Sequence, residues 1–104
     1  MIIVSQDKDK MVNFDNVGNI NIEKCYNESL KQEYFTYDIL VYIISSGIVR
    51  LSKYKTEKRA KEVLQEIIKE YRLTEITKAT INRVSDDVGA LAIKEVFVYE
   101  MPED

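Results

Sequence analysis

Residues 34–54 read Tyr34-Phe35-Thr36-Tyr37-Asp38-Ile39-Leu40-Val41-Tyr42-Ile43-Ile44-Ser45-Ser46-Gly47-Ile48-Val49-Arg50-Leu51-Ser52-Lys53-Tyr54, and this stretch decides the fold. Side chains alternate along a strand, so Phe35, Tyr37, Ile39, Val41 and Ile43 share one face, which is expected to meet the core. Ser45-Ser46-Gly47 is a compact turn, and the β-rich run Ile48 to Tyr54 follows it. The segment is therefore expected to be a β-hairpin with its first strand at Tyr34 to Ile44.

Immediately C-terminal, the period changes from two to 3.6. Ala60, Val63, Leu64, Ile67, Ile68 and Tyr71 fall on one helical stripe, predicting a helix from Thr56 to about Arg72. Thr56 is a natural N-cap, Glu57 suits the positive helix end, and Glu57 with Lys61 makes an i,i+4 pair. The stripe reads as core.

N-terminal to the hairpin lie short runs of strong β formers: Ile2-Ile3-Val4, Met11-Val12-Asn13-Phe14 and Ile20-Asn21-Ile22. Turn clusters at residues 7–10 and 15–19 separate them, and Gly18 with its Asn neighbours is expected to accept positive φ. A polar loop, Asn27 to Glu33, is expected to lead into the hairpin. C-terminal to the helix, residues 73–94 match no period cleanly, and Ser85-Asp86-Asp87 resembles a cap for a short helix through Ala92. Glu95 to Glu100 reads as a last strand, ended by Pro102. The expectation is one α+β domain over residues 1–104: an antiparallel sheet of five to six strands, a meander of hairpins, with one long amphipathic helix on one face and the C-terminal strand returning to the sheet.

Composition limits what such a domain does. The 104 residues are 45% apolar and 32% charged, with 3 Gly and 1 Pro, which is ordinary globular composition without a linker. The longest apolar stretch, Ile39 to Ile44, is far short of the roughly 20 residues that cross a bilayer. Met1 to Val4 has no basic flank and runs straight into Ser5-Gln6-Asp7-Lys8, so no secretory signal is expected and the chain reads as cytoplasmic. There is 1 Cys and no His. That excludes an internal disulfide, His-based triads and the usual zinc ligand sets, and Cys25 reads as a small apolar side chain on a strand. The reading is non-enzymatic, without cofactor or metal.

One feature of the charge distribution is sharp. Arg50, Lys53, Lys55, Lys58, Arg59 and Lys61 face the single carboxylate Glu57 within residues 50–61, in a chain of net charge −3. Lys58 and Arg59 fall in the first helical turn, where the macrodipole disfavours cations. Free N–H groups there, with Arg50, Lys53, Lys55, Lys58, Arg59 and a Tyr54 ring able to stack on a base, make a candidate site for an anion or nucleic acid. The same cations also read as a solvated strand edge and helix face. The acidic pairs Asp7/Asp9, in a turn, and Asp86/Asp87, before the possible short helix, lack metal-site spacing, and Asp7 and Asp9 read as turn residues. Asn27-Glu28-Ser29 is a chance glycosylation triplet in a cytoplasmic chain.

Three segments carry a resemblance: Ile3-Val4-Ser5-Gln6-Asp7-Lys8 with Val12-Asn13-Phe14, then Tyr54-Lys55-Thr56-Glu57-Lys58-Arg59-Ala60-Lys61-Glu62-Val63-Leu64, and Val98-Tyr99-Glu100-Met101-Pro102. On these the chain resembles small proteins of low-GC Gram-positive bacteria and their prophages, a group without an assigned reaction or ligand. The resemblance implies a single-domain, cytoplasmic or phage-borne, non-enzymatic protein. Exposed sheet edges and the 7 Tyr and 3 Phe then favour a binding module acting through a protein partner or a homo-oligomer. Nucleic acid at residues 50–61 is the alternative; no membrane partner is expected.

Overall fold

The computed structural model describes residues 1–29, 32–82 and 97–104. In chain order these form β1 (Ile2–Val4), β2 (Met11–Asn13), a 3-10 turn (Phe14–Asn16), β3 (Val17–Ser29), β4 (Gln32–Ile43), β5 (Gly47–Tyr54), α1 (Glu57–Asn82) and β6 (Val98–Glu100). The class is α+β, as expected. The single sheet of five to six strands is not found: the strands divide into two three-stranded sheets, β2-β1-β6 and β3-β4-β5. The division occurs at Phe14–Asn16, where Asn13 Oδ1 accepts the Asp15 N–H at 3.0 Å and tightens the chain into a helical turn. A hairpin from β2 to β3 is thereby ruled out. The C-terminal strand does return to a sheet, as a parallel partner of β1 rather than an antiparallel one.

Both sheets close over one core. Met1, Ile3 and Val12 from the small sheet meet Ile39 and Val41 of β4, Leu51 and Tyr54 of β5, and Ala60, Val63 and Ile67 of α1. The expected β4 face holds for Ile39 and Val41, which are buried, and for the partly buried Tyr37 and Ile43. Phe35 on the same face is exposed. The reason is that residues 27–29 and 32–33 of the expected polar loop are strand: β3 and β4 pair from Val17/Ile43 through to Ser29/Gln32, while residues 30–31 of that loop lie outside the described residues. At the other end of β4, Gly47 takes φ 87, a conformation that L side chains rarely adopt. Gly18 instead lies inside β3, at a register shift, and the remaining positive φ among the described residues is at Lys8.

The N-cap is as expected, with Thr56 Oγ1 accepting the Arg59 N–H at 3.1 Å. The helix continues ten residues beyond Arg72, to Asn82. Its second half is held by tertiary contacts: the Tyr71 ring packs on Phe14 with centroids 4.7 Å apart, Thr74 is buried, and Lys78 pairs with Asp15 at 3.6 Å. The expected helix at 85–92 and the start of the last strand at 95–96 lie outside the described residues.

These contacts set the direction of α1. It begins where β5 ends, beside the Tyr37/Tyr54 pair, and its distal half reaches Phe14 and Asp15, just before β3 starts. From Gln32 to Thr36, β4 is paired with β3 alone among the described residues. A two-stranded arm therefore extends past the helix start, and the molecule is long and thin, 58 × 27 × 20 Å.

Candidate functional site

The cationic window 50–61 is not one surface. Arg50, on the sheet face away from α1, places Nε 2.8 Å from Oδ2 of Asp38, a carboxylate with no exposed surface. Thr36 Oγ1 donates to the other Asp38 oxygen at 2.7 Å, and Asn27 Nδ2 donates to Thr36 Oγ1 at 2.8 Å. A buried carboxylate needs such partners, so this arginine serves the fold. Cys25 lies in the same neighbourhood, and burial, reinforced by Asp38, pushes its thiol pKa up. The thiol is thus held in its less nucleophilic form.

At the helix start the cations meet the C-terminal segment. Arg59 Nε donates to the Asp104 main-chain oxygen at 2.9 Å, and its Nη1 lies 3.4 Å from Glu62. Tyr54 is 3% exposed, and its hydroxyl donates to the Pro102 carbonyl at 2.9 Å. Burial raises its pKa and leaves the ring no face for a base. Gln6 knits the same region: its Oε1 accepts the Lys53 N–H at 2.9 Å, while Nε2 is shared among the carbonyls of Lys53, Pro102 and Glu103 at 3.2, 3.1 and 2.6 Å. A shallow pocket here is lined by Lys53, Tyr54, Lys55, Thr56, Arg59, Glu103 and Asp104. Two acidic residues thus stand where an incoming anion was expected. Lys53, Lys55 and Lys58 are exposed, and among the described residues none of them has an ion pair.

What the sequence reading missed is the arm. On its helix-side face the β3–β4 register sets Lys24 opposite Tyr37, Tyr26 opposite Phe35 and Glu28 opposite Glu33. The Tyr26 and Phe35 rings are each about half exposed and meet edge to face, with centroids 5.6 Å apart. Lys24 Nζ stands 4.3 Å from the Phe35 ring centre, a cation–π contact. Glu33 beside the Tyr26 hydroxyl raises its pKa. Among the described residues Glu28 and Glu33, directly opposed, have no cationic partner. Such like-charge pairs are unfavourable. The available signal was the spacing of Tyr26 and Asn27 against Tyr34 and Phe35, which pair once residues 27–29 and 32–33 are taken as strand.

β3 is a terminal strand of its sheet, and among the described residues no strand pairs with its outer side. Among the described residues no group of acidic or cysteine side chains is arranged to hold a metal ion, and no helix is long and apolar enough to cross a membrane. Comparison with protein-family models, curated proteins and solved structures finds no match.

Proposed function

We propose that this chain is a small non-enzymatic interaction module that acts through protein–protein contact, self-association in the first instance. The observation behind this reading is the arm: a 13-residue edge strand, β3, without a strand on its outer side among the described residues, carrying the exposed rings of Tyr26 and Phe35. Main-chain N–H and C=O groups along an open edge supply affinity for another strand, and aromatic rings supply the desolvated contact that anchors an interface. A cytoplasmic setting, and kinship with small prophage-borne proteins of low-GC Gram-positive bacteria, are part of the same proposal.

The nucleic-acid alternative is supported by Lys53, Lys55 and Lys58. It is weakened by the engagement of Arg50 with Asp38, of Arg59 with Asp104 and Glu62, and by the burial of Tyr54. Sedimentation velocity from about 1 to 300 µM separates the two readings, a range that brackets weak transient association. The expected result is a weight-average mass that rises with concentration, and a Tyr26→Asp/Phe35→Asp variant that stays monomeric. Concentration-independent mass, together with salt-steep binding of labelled oligonucleotides that Lys53→Glu/Lys55→Glu/Lys58→Glu abolishes, overturns the proposal.

A further inference from the structure

Resting on that reading, we infer that β3 pairs antiparallel with β3 of a second copy about a twofold axis at Tyr26, which sets Lys24 of each copy opposite Glu28 of the other. In an antiparallel pair directly opposed residues lie on the same face, and a twofold relation between two identical strands must then fall on a residue, not between residues. Only a few centres are therefore available along the arm, and charge separates them.

A twofold axis at Glu23 opposes two Glu23 carboxylates, and one at Lys24 opposes two Lys24 ammonium groups. Like charges directly opposite are unfavourable. An axis at Cys25 sets Lys24 against Tyr26 and Ile22 against Glu28, so the Glu28/Glu33 face keeps its repulsion. The axis at Tyr26 brings a cation to each Glu28, which lies opposite Glu33 on its own arm and has no cationic partner among the described residues. It also places the two Tyr26 rings against each other, flanked by the two Phe35 rings that they already touch edge to face. Each Lys24 then stands between its own Phe35 ring and the carboxylate of the other chain.

The hydrogen-bond pattern agrees with this register. Opposed residues around Tyr26 (24 with 28, 25 with 27) have the same parity, so both present main-chain groups outward or both turn them inward. The two sheets merge into one six-stranded sheet, β5-β4-β3-β3-β4-β5, with the open edge of each copy covered by the other. The overlap runs over residues 23–29 of each strand, short enough that the association belongs to the weak, transient class of interfaces.

Sedimentation equilibrium on four proteins tests the register: wild type, Lys24→Glu, Glu28→Lys and the double variant Lys24→Glu/Glu28→Lys. Each single change turns both Lys–Glu contacts into like-charge contacts, and the dimer is expected to weaken on the order of tenfold. The double change restores both contacts with the signs exchanged, and the wild-type constant is expected to return. Circular dichroism confirms that these exposed substitutions leave the fold in place. A wild type that self-associates while the double variant stays as weak as the singles overturns the register and leaves the interaction reading standing. A wild type that remains monomeric throughout overturns the register together with the self-association on which it rests.

Discussion

Asp38 has no exposed surface, and the group that neutralises it, Arg50 Nε at 2.8 Å, belongs to a side chain that is half in water. The two sit on neighbouring strands, with Asp38 paired to Lys53 and Arg50 to Leu40, so the contact crosses the β-bulge that the register shift creates. Removing only the cation strands a buried charge, and Arg50→Ala is expected to lower stability by about 2 to 4 kcal/mol, the exposure of Arg50 keeping it below the largest such losses. Replacing both residues, Asp38→Leu with Arg50→Met, is expected to recover most of that loss. Urea unfolding followed by circular dichroism measures both.

Gln6 joins three pieces of chain through one amide. Its oxygen and nitrogen take the Lys53 N–H and C=O in the way a neighbouring strand does, and the same nitrogen reaches the Pro102 and Glu103 carbonyls. Gln6→Ala is expected to cost about 1 to 2 kcal/mol, since carbonyls that lose the amide recover part of their bonding from water. Gln6→Glu is expected to be worse, because it sets a carboxylate against those carbonyls. Hydrogen exchange at Lys53 and Met101 reports the loss locally.

Asp7 supplies a pH signature. Its carboxylate accepts from Ser5 Oγ at 2.5 Å and from the Asp9 N–H at 3.3 Å. The Ser5 hydroxyl first, and the Asp9 bonds next, hold its pKa below the ordinary carboxylate value. A group whose folded pKa is depressed contributes stability above its unfolded pKa, about 3.9 for Asp, and loses it as pH falls through the folded value. Unfolding midpoints of wild type and Asp7→Asn are therefore expected to differ most at neutral pH and to converge on acidification below about pH 4. A gap that is constant with pH removes Asp7 from the account.

Thr56 is a cap that the sequence announces and, among the described residues, the structure uses. Thr56→Ala is expected to cost about 1 kcal/mol and Thr56→Asp almost nothing, because Asp accepts the same N–H and adds charge at the positive helix end. Thermal denaturation of the two variants side by side checks the order.

The parts of the fold legible in the sequence are those fixed by neighbours in the chain. The alternation at Tyr37, Ile39, Val41 and Ile43, the turn before Gly47, and the stripe Ala60, Val63, Ile67 and Tyr71 each report their own local geometry. The far half of α1 was not legible, since Thr74, Ile76, Thr77 and Thr80 are β-branched and weak helix formers. Two of their hydroxyls, on Thr74 and Thr80, are turned back onto helical carbonyls at 2.8 and 3.0 Å. Residues 27–29 and 32–33 were misread as loop because they are all polar, so the usual alternation of apolar and polar residues disappears. The candidate site divides in the same way. The cations of residues 50–61 are visible in the sequence, whereas Asp38 and the segment Pro102–Asp104 that engage them come from elsewhere in the chain.

The parallel pairing of Ile2 with Val98, Ile3 with Tyr99 and Val4 with Glu100 imposes an order of events as the protein is made. β3, β4, β5 and α1 follow one another and can assemble as they emerge. β1 precedes them and, among the described residues, has only the short β2 beside it until β6 has been synthesised. Closing a contact between residues so far apart is slow compared with forming the hairpins and helix between them. A ribosome-bound chain halted before residue 98 is thus expected to hold a folded sheet and helix, while its first strand still has one bare edge.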